Sequence, residues 1–310
     1  MAVYFLNLKT FGRANGSSAV SVAAYRAGER IRDERSGKTY DHSDRRDVMH
    51  KEIILPSQFT SDEVSWARDR ANLWNTAEGA ETRSNARVAR EYLVALPVEL
   101  SPDQRLGLVT EFSRELADRY RFAVDCAIHA PRDFPGSDPR NFHAHLLATT
   151  REVTTQGLGA KTTLEWSDAR RREIGLGPAI DELLHVRQRW ALATNEVLRE
   201  AHLDVRIDHR TLQAQGIDSE PQPHIPRIAL EMERRGYRSV LAERLREEYE
   251  ARVEARLQRS AARDALPAKP QSLEEIRRQA RESWLQMRQG RAESAPRDSM
   301  ERVKDDDLAR

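Results

Sequence analysis

A single cysteine, Cys126, in 310 residues rules out an internal disulfide framework and a cysteine-rich zinc module, and it fits a reducing compartment. The longest apolar stretches, such as Ile53-Ile54-Leu55, fall far short of the roughly 20 residues a membrane span needs. The opening MAVYFLNLKTF has Lys9 only after its apolar run and no small-residue cleavage site. No signal peptide is read from it, and a cytoplasmic location is expected. Charge of one sign is also missing. Lys and Arg number 51 against 50 Asp and Glu, a net charge of +1, so the basic footprint usual for a DNA-binding domain is absent at whole-chain level. There is no GxxxxGKS/T run, and hence no sign of a nucleotide-driven motor.

What is present is a soluble composition, 39% hydrophobic and 33% charged, over a length that suits about two domains. The charges are unevenly spread: residues 231–310 carry 19 Lys/Arg and 17 Asp/Glu, far denser than the chain before them. The shift follows Pro221–Pro226, where Gln222, His224 and three prolines make a stiff, linker-like stretch. A main domain over 1–225 and a charged helical tail over 226–310 are expected.

Periodicity lays out the elements. Residues 3–11 read as an opening strand, and Ser17 or Ser18 caps a helix expected to run to about Arg32, with Val20, Ala24, Ala27 and Ile31 on its inner side. KEIILP (51–56) and REYLVALP (90–97) read as strands, and 60–83, 101–119 and about 178–201 as helices, with RIDHRTL (206–212) a further short strand. The tail reads as charged helices over 226–262 and 271–288. Strands mixed with segregated helices suggest an α+β fold, an antiparallel sheet covered by helices on one face.

One pair of runs carries chemistry. In FAVDCAIHAP (122–131) and NFHAHLLATT (141–150), alternate residues are apolar, which leaves Asp125 and His129 on the other side of the first run and His143 and His145 on the other side of the second. A turn-rich segment joins them, so an antiparallel hairpin would bring His129 beside His143. Three imidazoles on one sheet face suit zinc, manganese, nickel or copper and leave positions open for a substrate. Asp125, four residues before His129 on the same face, is read either as a carboxylate holding a ligand imidazole or as an ordinary ion-pair partner.

The run SAVSVAAYRAGERIRDERSGKTYD (18–41) resembles the N-terminal motif of MobA/MobL-type, MobQ-class plasmid mobilisation relaxases. EIILP (52–56), AREYLVALP (89–97), AIHAP (127–131), NFHAHLLATTR (141–151), GLGAKT (157–162) and RIDHRTLQAQGID (206–218) follow in the family's order. The resemblance spans roughly residues 1–235 and implies an HUH-type relaxase fold, followed here by the charged helical extension. It implies Tyr25 as the nucleophile of a tyrosine endonuclease and strand transferase, with His129, His143 and His145 holding a divalent ion, magnesium or manganese ahead of zinc. Glu91 matches an acidic family position, as an orienting group for a ligand or an acceptor of the tyrosine proton; pairing with Arg87 or Arg90 is the plainer alternative. The implied substrate is single-stranded DNA at an origin of transfer, nicked and rejoined through a 5′-phosphotyrosyl intermediate. The implied partners are accessory mobilisation proteins and a type IV secretion coupling protein.

Weaker candidates are Arg26, Arg30 and Lys161 for DNA phosphates, with Lys9 and Arg13 beside them, and Trp74, Trp166 and Trp190 for base stacking, although packing is the better reading of each tryptophan. Two rival functions stand: a rolling-circle replication initiator with the same chemistry, and a noncatalytic DNA-binding accessory protein that keeps the fold.

Overall fold

Alternating apolar residues build a sheet that both ends of the first unit help to cover. The chain forms β1 (Leu6–Gly12), α1 (Ala19–Ala27), a small hairpin of β2 (Arg30–Arg32) and β3 (Thr39–Asp41), and then β4 (Val48–Ile54). Next come α2 (Arg70–Gly79), β5 (Arg87–Ala95), α3 (Pro102–Tyr120), β6 (Val124–His129) and β7 (His143–Ala148). A second hairpin, β8 (Arg151–Thr154) with β9 (Gly157–Lys161), leads into α4 (Asp168–Glu173) and α5 (Ala179–Glu200). The main sheet has the order β1-β5-β7-β6-β4, and every neighbouring pair is antiparallel. The structure is a computed structural model and describes residues 2–132, 137–264, 277–278 and 280–286. These fall into two compact units that divide between Gln215 and Gly216.

The sheet is covered on both faces, which corrects the expectation of one. Tyr92, Val94, Val124, Cys126, Ile128, Ala144 and Leu146 join Phe112 and Leu116 of α3 and Trp190 and Leu198 of α5 in one core. Ala89, Ala123 and Leu147 join Ala19, Val20, Ala23 and Ala24 of α1 and Leu73 and Trp74 of α2 in a second. The second face is thus apolar at one end, and the three histidines occupy the other end. Burying both faces removes apolar surface from water on each side, the dominant favourable term in folding.

Local chemistry sets the helix limits. Ser18 caps α1 by accepting from Ser21 N–H, and the buried Glu78 carboxylate accepts from Ala19 N–H at 2.6 Å. Both satisfy donors that the first turn leaves unpaired. The helix ends at Ala27, not near Arg32, because Gly28 adopts φ +59° and its N–H returns to the Ala24 carbonyl. Residues 30–32 become a strand instead. Helix α2 also starts later than expected: Asp69 caps it through Asn72 N–H, and only a short 3-10 turn at Ser65–Ala67 precedes it. Helix α3 begins where the sequence predicts, and there Ser101 and Gln104 form a reciprocal capping box with Pro102 in the first turn. Residues 206–212 form no strand. The N–H and C=O of Ile207 both pair with the Asn195 side chain of α5, at 2.8 Å each, so they need no neighbouring strand.

The second unit contains α6 (Arg227–Arg234) and α7 (Val240–Asp264), joined by an Arg246–Glu233 ion pair at 2.7 Å. Of the helix expected over 271–288, the described residues 277–278 and 280–286 are helical, and the rest lie outside the described residues.

Gly28 supplies a test of how α1 is stopped. A Cβ there would sit 3.2 Å from Val48 Cγ2 on a left-handed backbone. Gly28→Ala is expected to lower the urea unfolding free energy by about 1 kcal/mol or more.

Candidate active site

Cross-strand register gathers the histidines. His129 on β6 lies directly opposite His143 on β7, and His145 lies opposite Ala127. Side chains directly opposite share a face, as do those two residues apart. The ring centroids are 4.7–5.3 Å apart pairwise, and one nitrogen from each ring lies within 4.8 Å of the others. The same face carries Glu91 on β5, opposite Leu147 and hence diagonal to His145. The hairpin predicted from alternation is present, with its histidines together.

Hydrogen bonding decides the tautomers. Each ring has one nitrogen against an acceptor: His145 Nδ1 at 2.8 Å from Glu91 Oε1, His143 Nδ1 at 2.9 Å from the Asn141 carbonyl, and His129 Nε2 at 2.8 Å from the Arg26 carbonyl. Carbonyls and carboxylates only accept, so those nitrogens carry the protons and the other nitrogen of each ring keeps a lone pair. Burial lowers all three imidazoles, His129 to about 3 and His145 to about 4, so the cluster is neutral near pH 7. Three neutral imidazoles with lone pairs form a donor set that suits a divalent cation.

Glu91 is fully buried, yet it is held as an anion. Burial pushes its pKa up, but His145 and the Arg26 guanidinium outweigh that and bring it to about 2. Arg26 donates Nε to Oε1 at 2.6 Å and Nη2 to Oε2 at 3.2 Å. The alternative pairing with Arg87 or Arg90 is not formed, because both arginines bind Glu165. Asp125 is also not a partner of His129. It accepts from Arg70 at 2.8 and 2.9 Å and from Trp74 Nε1 at 2.8 Å, under α2.

Tyr25 sits half-buried near the end of α1, whose alanine face packs against the second core. Arg132 Nη2 donates to its Oη at 2.7 Å, and the Arg45 guanidinium lies 4.2 Å over its ring. Arg45 also donates to the Tyr25 carbonyl and, at 3.3 Å, to the His129 Nδ1 lone pair, so it joins the tyrosine to the cluster and occupies the nitrogen that a bound cation would take. Asp47 braces Arg45 and Arg132, and the His42 ring meets Tyr25 edge-on at 5.1 Å. Burial raises the phenol pKa, but the Arg132 hydrogen bond and the charges of Arg132, Arg45 and Arg26 bring it below its usual 10. An open cavity of ≈ 590 Å³ lies here, lined by Tyr25, His42, Arg45, Asp47 and Arg132 among others.

Arg45, Asp47 and Arg132 were not legible as site residues. Arg45 and Asp47 belong to a charged loop without periodicity, and the only signal for Arg132 is its place three residues after His129. The other candidates for phosphate contact are separated. Arg26 is committed to Glu91, Arg30 lies 3.7 Å from Asp41, Lys161 pairs with Glu81 at 3.2 Å, and Arg13 binds Glu78. Trp74 and Trp190 are core residues, and Trp166 is bonded to the Lys161 carbonyl under Arg170.

Residues 17–235 match the MobA/MobL family over more than half the chain. The chain belongs to the MobA/MobL family of mobilisation relaxases. It is 34% identical to mobilization protein MobL of Acidithiobacillus ferridurans over 88% of this chain and 74% of that protein. It is 33% identical to a 43 kDa relaxation protein of Salmonella typhimurium, covering 71% of this chain and 57% of that one. Mobilization protein A of Escherichia coli is 33% identical over 77% of this chain, which spans 31% of that longer protein. A solved structure described as the molecular basis of vancomycin resistance transfer in Staphylococcus aureus aligns with a TM-score of 0.54 and 27% identity, over 68% of this chain and 100% of its own. The MobA/MobL match begins one residue before the Ser18 cap and takes in every strand of the main sheet except β1.

The depressed imidazoles set a pH dependence. Below about pH 6.5 the unfolded relaxase takes up protons at His129 and His145, while the folded one does not until near pH 3 and 4. With chelator present, stability is full above pH 6.5 and expected to fall with acidification by up to about 1.4 kcal/mol per pH unit for each ring. Urea midpoints between pH 7 and 5 check this, and a flat profile refutes it.

Proposed function

We propose that this relaxase nicks and rejoins one strand at a plasmid origin of transfer, with Tyr25 as nucleophile beside a divalent cation held by His129, His143 and His145. The observation that carries the reading is the direct link between the two halves: Arg26 and Arg45 each touch both the Tyr25 segment and the histidine cluster. The relatives' names, mobilization protein MobL and 43 kDa relaxation protein, point to the same activity.

Tyr25 Oη attacks the scissile phosphorus. The new P–Oη bond forms as the bond from phosphorus to the 3′-oxygen breaks, the phenolic proton departs, and a proton ends on the released 3′-hydroxyl. The 5′-phosphotyrosyl ester retains a good leaving group, so the same 3′-hydroxyl can reverse the step and reseal the strand. Tyrosine is a weak nucleophile at its ordinary pKa of about 10. Arg132, hydrogen-bonded to Oη at 2.7 Å, favours the phenolate, and Arg45 over the ring adds positive charge. Asp47 holds both arginines in place. Glu91 fixes the His145 tautomer and anchors Arg26; with both oxygens engaged and a pKa near 2 it is a poor proton acceptor. The bound cation, when present, offsets charge growing on the phosphate oxygens. Magnesium and manganese are the ions proposed ahead of zinc. The reaction belongs in the cytoplasm, with accessory mobilisation proteins and a secretion coupling protein as partners, and the tail after residue 225 as a surface available to them.

Incubated with Mn²⁺ or Mg²⁺ and a single-stranded origin-of-transfer oligonucleotide, the protein is expected to form an adduct that survives denaturing electrophoresis. Tyr25→Phe should abolish it; an adduct formed by that variant refutes the nucleophile. His143→Ala with His145→Ala should reduce cleavage at least 100-fold, and chelation should do the same.

Arg132→Gln is expected to slow cleavage at pH 7 by roughly tenfold or more, the scale of a hydrogen bond to a charged group. Because the arginine lowers the phenol pKa, its loss should move the pH–rate profile to higher pH and restore part of the rate near pH 9. A profile that keeps its position and only drops in height refutes this role.

A further inference from the structure

Beside the histidines, the sheet face continues into surface that the cleavage chemistry above does not use. The Phe5 carbonyl accepts from Ala95 N–H, Ala95 lies opposite His143, and His143 lies opposite His129. Phe5, Ala95, His143 and His129 therefore make one cross-strand row, all on the same face. Val3 is two residues before Phe5, and Leu93 is two before Ala95, so both join this face. The helices α1 and α2 do not cover this end. Val3 is 62% and Phe5 44% exposed, unlike Leu6 at 5%, which faces the first core. The result is a largely apolar groove of ≈ 550 Å³ lined by Val3, Phe5, Leu93 and Ala95, with the Asp138–Arg140 ion pair and Asn141 at its polar side and His143 as its boundary with the cluster.

The position of the groove in the row says what would occupy it. Tyr25 and its supports stand at the opposite edge: Arg45 and Asp47 directly precede β4, Val48 of β4 lies opposite His129, and Arg132 follows β6 by three residues. Attacking and leaving oxygens in a phosphoryl transfer are roughly in line through phosphorus. With the nucleophile arriving from the β4–β6 edge and the phosphate at the histidines, the leaving oxygen emerges toward β5 and β1. The groove starts there. From Phe5 to His143 is two strand spacings, roughly 10 Å, the reach of a single nucleotide from its phosphate to its base. An exposed aromatic on an apolar floor offers an unpaired base a stacking surface. Asn141, whose carbonyl also holds His143, stands where an amide can meet a base edge.

We propose that this groove seats the base of the nucleotide carrying the leaving 3′-oxygen, which makes Phe5 a substrate-binding residue that holds the 3′ end in place for nicking and for resealing. The inference rests on Tyr25 as the nucleophile. After cleavage the seated base keeps the free 3′-hydroxyl beside the phosphotyrosine, so the reverse attack needs no new encounter.

The test uses the full-length protein and a 5′-fluorescein single-stranded oligonucleotide that ends in the 3′-hydroxyl of the origin's nick position, with anisotropy as the readout. Phe5→Ala is expected to weaken binding about tenfold, the scale of one lost base stack. Removing the terminal base from the oligonucleotide should cost the same, and the two changes together should cost no more than either alone. Phe5→Trp should retain affinity, with its fluorescence quenched by the intact oligonucleotide and not by the abasic one. Additive losses, an unchanged affinity in Phe5→Ala, absence of binding by the wild type, or an equal Phe5 effect on an oligonucleotide covering only the 3′ side of the nick would overturn the proposal. Binding is read without cleavage. An adduct formed by Tyr25→Phe would therefore sink the nucleophile assignment by itself, separately from the base-seat measurement.

Discussion

The buried carboxylate of Glu91 is the contact on which the site's geometry depends. It lies inside the protein with no access to water, and among the described residues its charge is sustained by Arg26 and His145. A buried charge that loses one partner is costly, on the order of 3–5 kcal/mol, and this makes the arrangement stiff. Through Arg26 the carboxylate holds the C-terminal turn of α1 against the sheet, and the next residue back is Tyr25. Through His145 it fixes the ring that shares a face with His129 and His143. The tyrosine helix and the histidine hairpin, about 100 residues apart in sequence, are placed by the two ends of one anion.

A second, more exposed ionic layer lies on the other side of the tyrosine. Asp47 binds Arg45 and Arg132, and these reach the ring and the hydroxyl of Tyr25. The layers act differently because their dielectric surroundings differ. Glu91 is sealed within the protein, whereas Arg132 is partly exposed beside an open cavity. The near-zero net charge of the chain is consistent with this. Arg45, Arg46 and Arg132 line one cavity together with Asp44 and Asp47, so the local excess of positive charge there is modest. A bound cation would add to that local field.

Much of the fold was legible because it rests on period-two patterns. The alternation in 122–131 and 141–150 required His129, His143 and His145 to share a face, and a hairpin required His129 to meet His143; both are present. Residues without a period were not legible. Arg45 and Asp47 come from an irregular loop, and nothing in their spacing connects them with Tyr25. Helix α1 was read too long because the apolar spacing continues to Ile31, while the left-handed turn at Gly28 overrides it. The strand expected at 206–212 failed because the Asn195 amide satisfies Ile207 in place of a neighbouring strand.

The sequence by itself determined which family the chain resembles and that His129, His143 and His145 share a sheet face, since alternation and motif order are properties of neighbouring residues. Tertiary structure alone decided the partners. Glu91 could have met Arg87, Arg90 or Arg26; Glu165 takes the first two, and the placement of α1 over the sheet brings Arg26 to it. Asp125, on the same face as His129, goes to Arg70 and Trp74 because α2 lies over that part of the sheet. A pattern along one chain fixes the direction of a side chain, but what it meets depends on segments distant in sequence, which only the fold brings together.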